Sequence, residues 1–160
     1  MKILVVFYSR TGTTKIAAQQ IARELNCDLE EIIDFKNRQG VSGYLLAGRD
    51  AMLKKLTNIK KIEKELPGYD LIIIGTPIWA FDMSVPIRTF IVSYRNHFKK
   101  LAFFCVMGGS GDERVFLNME KLAGFKPVAK LALKDFQVRQ GEYDKPIKQF
   151  IKQIKNLIIS

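Results

Sequence analysis

The chain has 160 residues, 48% of them hydrophobic and 26% charged, with a formal net charge of +10. That balance suits a folded domain with a real core and excludes a disordered polymer. No stretch reaches the roughly 20 apolar residues a membrane helix needs, and no cleavage pattern follows the first apolar run, so a cytoplasmic protein is expected.

Ile3 to Tyr8 is a continuous β-branched and aromatic run and predicts a buried strand. Thr13 to Leu25 predicts a helix capped by Thr13 or Gly12, with Ile16, Ala17, Gln20, Ile21 and Leu25 on one face. Asp28 to Asp34 reads as a second strand, and residues 36–43 as a loop. Tyr44 to Leu56 predicts a helix with Leu45, Leu46, Met52, Leu53 and Leu56 inward. Tyr69 to Pro77 is a clear third strand, stopped by Gly75 and Pro77. Val85 to Tyr94 is helical, and Pro86 suits its first turn. Leu101 to Gly109 is a fourth strand with its terminating glycines, and Glu113 to Ala123 a helix preceded by Asp112 at the N-cap. Pro127 to Leu133 is the last strand. Tyr143 to Ile159 is the last helix, with Ile147, Phe150, Ile151, Ile154, Leu157 and Ile158 on one face and Lys145, Lys148, Lys152 and Lys155 on another. A helix packed on the sheet explains that pattern better than one lying on a membrane surface.

Five strand-then-helix repeats with near-continuous apolar strands argue for one α/β domain, residues 1–160, with a parallel sheet covered on both faces. Cys27 and Cys105 are far apart and form no CxxC pair, so two reduced thiols are expected. His97, the single histidine, has no neighbouring ligand spacing and reads as a surface residue, so no metal site is expected. The positive charge is spread over several segments with no recognisable nucleic-acid module, so no nucleic-acid partner is expected.

In a parallel sheet every strand C-terminus lies at one edge, where ligands bind. The loops after the three strongest strands should therefore be neighbours. The first, Ser9-Arg10-Thr11-Gly12-Thr13-Thr14, carries four hydroxyls around a glycine and opens directly into a helix. A helix N-terminus offers free N–H groups and partial positive charge to a phosphate. The loop has no lysine in P-loop spacing and no GxGxxG, so a monophosphate ester fits better than a triphosphate or a dinucleotide. The alternative is an ordinary capped turn. The second loop, Thr76-Pro77-Ile78-Trp79-Ala80-Phe81, holds the single tryptophan, which either covers a flat ligand or packs on a helix. The third, Met107-Gly108-Gly109-Ser110-Gly111-Asp112, is small and offers backbone groups to the edge of a ring.

Taken together, these motifs resemble the flavodoxins. Ser9 to Thr14 matches their phosphate loop, (S/T)-x-T-G-x-T; Trp79 sits in a second loop of their kind; Gly109-Ser110-Gly111-Asp112 matches their G-x-G-D. The likeness spans the chain in element order and is of the short type, without a long insertion in the last strand. It implies a three-layer, doubly wound, five-stranded parallel sheet in the order 2-1-3-4-5, binding flavin mononucleotide (FMN). Ser9 to Thr14 would hold its phosphate, Thr76 to Phe81 one side of the ring with Trp79 stacked, and Met107 to Asp112 the pyrimidine edge and the other side. It implies electron transfer with a redox partner protein, acidic if it complements the basic surface, and no catalytic side chain. The alternative is an FMN-dependent NAD(P)H or quinone oxidoreductase, including a protoporphyrinogen oxidase-like enzyme.

Two features depart from the pattern. Many flavodoxins stack a tyrosine just after G-x-G-D; here Glu113, Arg114, Val115 and Phe116 follow, so either Phe116 substitutes or that face is open to a substrate. Flavodoxins are usually acidic, and this chain is not; a less negative semiquinone/hydroquinone potential is expected. A response-regulator receiver, which shares the fold class, is disfavoured because the first strand runs into Phe7-Tyr8-Ser9 and the third into Gly75-Thr76-Pro77, without the acidic residues such a site needs.

Overall fold

The structure is a computed structural model that describes residues 1–159. Four parallel strands pair with continuous register: β1 (Ile3–Phe7), β3 (Leu71–Trp79), β5 (Leu101–Met107) and β6 (Lys130–Lys134), with β2 (Asp28–Glu31) at the other edge. The order is β2-β1-β3-β5-β6. Its parallel part is the expected 2-1-3-4-5 arrangement; the numbering differs because a two-residue strand, β4 (Asp82–Met83), turns back antiparallel on the end of β3.

Two separate cores follow from the period-2 alternation of side chains along the strands. Val5, Phe7, Ile73, Phe104 and Leu133 point to one face, where α1 (Thr13–Leu25), α5 (Asp135–Gln140) and α6 (Asp144–Ile159) cover them. Leu4, Val6, Ile72, Ile74 and Phe103 point to the other, under α2 (Gly40–Met52), α3 (Val85–Tyr94) and α4 (Asp112–Ala123). Gly75, central in the sheet, has its place because Phe104 lies over it: a Cβ there would fall inside the Phe104 ring.

The third strand does not stop at Pro77 but continues to Trp79. Tyr8 N–H donates to the Gly75 carbonyl, so Gly75, and by alternation Pro77, aim their backbone groups toward β1. The paired part of β1 ends at Phe7 opposite Gly75, so the N–H missing from Pro77 breaks no ladder bond. The last strand begins at Lys130 instead of residue 127, and α5, which the sequence pattern did not predict, follows it. Along α6, Ile147, Phe150, Ile151 and Ile154 are buried and Leu157 is half-buried, with all four lysines outside; the Ile158 side chain lies outside the described residues.

The largest correction concerns α2. It starts at Gly40, inside the expected loop, and buries Gly43, Ala47, Asp50 and Ala51. Leu45, Met52, Leu53 and Leu56 are exposed, and Leu46 is half-buried. The helix sits too close to its neighbours for large side chains on that stripe: a Cβ at Gly43 would land on the backbone of Arg38. On α1, similarly, Ile16 is exposed and the small residues Ala17, Ala18 and Ala22 join Ile21 inside. Among the described residues, no helix is long and apolar enough to cross a membrane, and no cluster of His, Cys, Asp or Glu is arranged to hold a metal. Cys27 and Cys105 are free, and burial raises both thiols, Cys27 to about 11, which keeps them protonated and unreactive.

Candidate functional site

The hydroxyl-rich loop after β1 is built around Ser9. Its Oγ accepts hydrogen bonds from the N–H of Gly12 (3.0 Å) and of Lys15 (3.2 Å). Gly12 is the residue before the helix, at φ 100, a left-handed conformation that glycine adopts without strain. Gly12 is the N-cap of α1, one of the two expected residues, and Ser9, three residues upstream, supplies the side-chain oxygen that the first turn lacks. The N–H of Ile16 is the first to bond within the helix, to the Gly12 carbonyl. With Lys15 taken by Ser9, the first-turn N–H groups left for a ligand are those of Thr13 and Thr14.

Thr13 and Thr14 are buried, Ser9, Arg10 and Gly12 half-buried, and Thr11 exposed. Thr13 Oγ1 donates to Asp135 Oδ1 (2.8 Å), at the start of α5, and Asp135 is paired with Arg139 Nε at 2.5 Å. Burial would raise the Asp135 carboxyl, but the hydrogen bonds from Arg139 and Thr13 outweigh it and hold it below the usual carboxylate range. Arg10 stacks its guanidinium 5.2 Å from the centre of the Tyr44 ring, and its carbonyl accepts from Gln39 Nε2 (3.1 Å). The start of α2 is thus clasped to the loop.

These residues open on a cleft of about 250 Å³. Arg10, Thr11, Thr13 and Thr14 line one end; Pro77, Ile78 and Trp79 from the end of β3 form a wall; Val106, Met107 and Gly108 from the end of β5 form another. The three strand ends do converge, as topology requires. Tyr44, Val106, Asp135 and Arg139 also line the cleft and were not among the residues expected from the sequence. Asp135 was legible in principle, because it directly follows the last strand at the same sheet edge. Nothing in the local sequence marks Tyr44 or Arg139.

The other expected residues take several positions. Thr76 is fully buried and turned into the fold: its Oγ1 donates to the Pro77 carbonyl (2.8 Å) and accepts from the Ser84 N–H (2.9 Å). Ala80 and Phe81 form the turn between β3 and β4 at φ 48 and 61. Positive φ at both central residues matches the twist of a tight hairpin, yet neither is glycine, so each costs on the order of 1 kcal/mol. Gly108, Gly109 and Ser110 are exposed. Gly111, at φ 115, is the N-cap of α4 in place of Asp112, which is the first helical residue. The Phe81 ring packs beside Gly111, joining the second and third loops. Phe116 is buried in the core of the α2–α4 face, so it does not replace the missing tyrosine.

Trp79 is almost fully buried from solvent, but its ring borders the cleft. Tyr8 meets it edge-on, with centroids 5.4 Å apart and planes at 89°. Arg38 places its guanidinium 5.4 Å from the Trp79 ring centre. Arg38 is itself buried, bonded to Asp34 (2.6 Å) and Asp50 (3.0 Å), with Nη2 unpaired among the described residues. Burial opposes ionisation of Asp50, but hydrogen bonds from Lys36, Arg49 and Arg38 hold its carboxyl far below its ordinary value. Burial, and then the nearby Asp34 charge, push the Tyr8 phenol up to about 12.

A larger cavity, about 580 Å³, lies at the start of β3, lined by Lys61 to Pro67, Tyr94 and the exposed His97. Its lining includes none of the three loops that follow β1, β3 and β5.

A family model described as Flavodoxin matches residues 2–132. The chain belongs to the flavodoxin family. A search of curated proteins found no match. Among solved structures, a candidate flavoprotein from Bacteroides uniformis is 25% identical, with a TM-score of 0.76 over 94% of this chain and 97% of its own. Another candidate flavoprotein, from Bacteroides eggerthii, is 27% identical, with a TM-score of 0.69 over 91% of this chain and 97% of its own. A flavoprotein from Lactobacillus acidophilus, crystallised in complex with FMN, is 24% identical; its TM-score is 0.71 over 87% of this chain and 97% of its own. The last likeness establishes the fold shared with this flavodoxin, not its ligand.

Proposed function

We propose that this flavodoxin binds FMN in the 250 Å³ cleft and serves as an electron-transfer protein. The observation that carries the reading is the convergence, in one cleft, of a threonine-rich helix N-terminus with an aromatic and glycine-lined slot. The fit is chemical at both ends. The N–H groups of Thr13 and Thr14 and the hydroxyls of Thr11 and Thr14 suit the three terminal oxygens and the charge of a phosphate monoester. Pro77, Ile78, Trp79 and Met107 offer apolar surface to a flat ring. When bound, FMN supplies the one- and two-electron chemistry.

The residues of the chain bind, orient and tune. Ser9 fixes the loop geometry by holding the Gly12 and Lys15 N–H groups. Asp135 orients the Thr13 hydroxyl, and Arg139 offsets the carboxylate charge that would otherwise repel a phosphate. Tyr8 and Arg38 brace Trp79 from behind. The exposed backbone of Gly108 to Ser110 is free to meet the polar edge of the ring. The net charge of +10 favours an acidic protein partner and makes the second one-electron step less negative in potential than in an acidic flavodoxin.

A second reading, an FMN-dependent NAD(P)H or quinone oxidoreductase, draws support from Phe116, whose burial leaves no aromatic after Asp112 to cover the outer face of the ring. One preparation distinguishes them. The purified protein titrated with FMN should bind it at one site per chain, seen in the visible spectrum. Holo-protein that then oxidises NAD(P)H rapidly without a separate reductase favours the enzyme; failure to take up FMN overturns both.

A further inference from the structure

A second cleft, about 340 Å³, is bordered on one side by the Ile78–Trp79–Ala80 segment. Its other wall is α2, through Tyr44, Leu45, Gly48 and Met52. Tyr44, Ile78 and Trp79 border both clefts, so the two are neighbours that share an aromatic wall. Its size falls within the range of small-molecule sites, roughly 300–1,000 Å³.

Gly48 gives the cleft its meaning. It lies inside α2, where glycine destabilises a helix by about 1 kcal/mol relative to alanine. Gly43, in the same helix, has a packing reason, because a Cβ there would strike the Arg38 backbone. Gly48 has none: a Cβ there would meet nothing within 4 Å. The space that its missing side chain leaves is the floor of the cleft. The lining is apolar or aromatic apart from Arg49, the one cation. Arg49 is held at the rim by its own pairing, Nε and Nη2 donating to Asp50 Oδ1 at 3.3 and 3.0 Å. A flat apolar ring with a carbonyl oxygen at one end matches that lining: ring over Gly48, oxygen toward the guanidinium. A second copy of the chain matches it poorly, because two +10 chains repel.

We propose that this cleft is a binding site for quinones, next to the cofactor cleft and separated from it by Trp79. The choice of quinones among flat apolar carbonyl compounds rests on the FMN reading; the existence of the site does not.

Trp79 is the single tryptophan, so its fluorescence reports the partition directly. The apoprotein titrated with 2-methyl-1,4-naphthoquinone should show saturable quenching beyond the inner-filter correction. Gly48→Leu fills the floor without burdening the helix, and should weaken that binding by about tenfold or more while the thermal midpoint holds or rises. Met52→Glu, at the exposed rim, should weaken it as well. A separate titration with FMN, followed by its own visible absorption, should be unchanged in both variants. Linear, unsaturable quenching, or equal quenching in Gly48→Leu, overturns the proposal. So does a wild-type dimer in sedimentation that becomes monomeric in Gly48→Leu, which would make the cleft a contact between copies. Quinone binding without FMN binding upholds the cleft and refutes the cofactor reading; FMN binding without quinone binding does the reverse.

Discussion

The two faces of the sheet are built by different rules. On the α1/α6 face, apolar side chains meet apolar side chains: Ile21, Ile147, Phe150 and Ile154 pack on Val5, Phe7, Ile73 and Phe104, with lysines outside. On the α2 side of the other face, the inward positions are Gly43, Ala47, Ala51 and the charged Asp50, and large apolar residues face out. There a buried Asp34–Arg38–Asp50 cluster fills the space that leucines occupy elsewhere. The first face is organised for burial. The second carries the Trp79 wall of the cleft proposed for the cofactor, and its polar packing holds Trp79 in a set orientation. Stability and site precision are divided between the faces.

The comparison breaks most visibly at Arg38. Arg38→Met leaves two buried carboxylates without their shared cation and should destabilise the protein by about 3–5 kcal/mol in urea unfolding. It should also shift Trp79 emission, because the guanidinium beside the ring is lost. Asp50→Asn added to Arg38→Met should recover part of that loss; no recovery would mean that the cluster is not acting through charge.

Acid should separate the faces next. Asp50 has its carboxyl depressed on folding, so its contribution is full above the unfolded carboxylate value, about 3.9, and is lost as pH falls below it. Exchange protection on α2 should therefore fail at a higher pH than on α6, whose inward stripe has no ionisable group. Simultaneous loss on both helices would refute the division.

Ile154→Val, in the apolar face, should cost about 0.5–1.5 kcal/mol and leave FMN affinity unchanged. Thr13→Val removes the hydrogen bond to Asp135 and should cost about 1 kcal/mol in stability. Its effect on FMN affinity should exceed that of Ile154→Val, as an FMN titration would show. Smallest of all, Leu53→Ser at the exposed C-cap of α2 should change stability by less than about 0.5 kcal/mol. A large loss there would show that the helix buries what its exposure says it does not.

Much of the architecture was legible before the fold was known. α1 and α3 fall at the expected residues, and β1 and β5 differ only at their ends, because continuous β-branched runs and the 3.6-residue period leave few alternatives. The convergence of Thr11, Thr13 and Thr14 with Trp79 and Met107 also followed from topology alone. α2 was misread because periodicity records hydrophobicity, whereas close approach selects small residues. Thr76 was placed at the ligand because it follows the third strand, but β3 continues past it and turns it toward Ser84. Arg38 and Asp50, 12 residues apart, are ordinary surface types in the chain and meet only across a folded gap.

The sequence by itself determined the layered α/β arrangement, the parallel sense of its strands and the hydroxyl-rich helix start; the strand order came from the family resemblance. The first three depend on local pattern and on the chirality that all chains share. Only the tertiary structure decided that Ser9 caps α1, that Asp135 holds Thr13, that Tyr44 borders both clefts and that Arg38 braces Trp79. Apart from Ser9, whose bonds are local, these pairings join residues distant in the chain, and the balance of burial against charge that selects them exists only once the helices have docked.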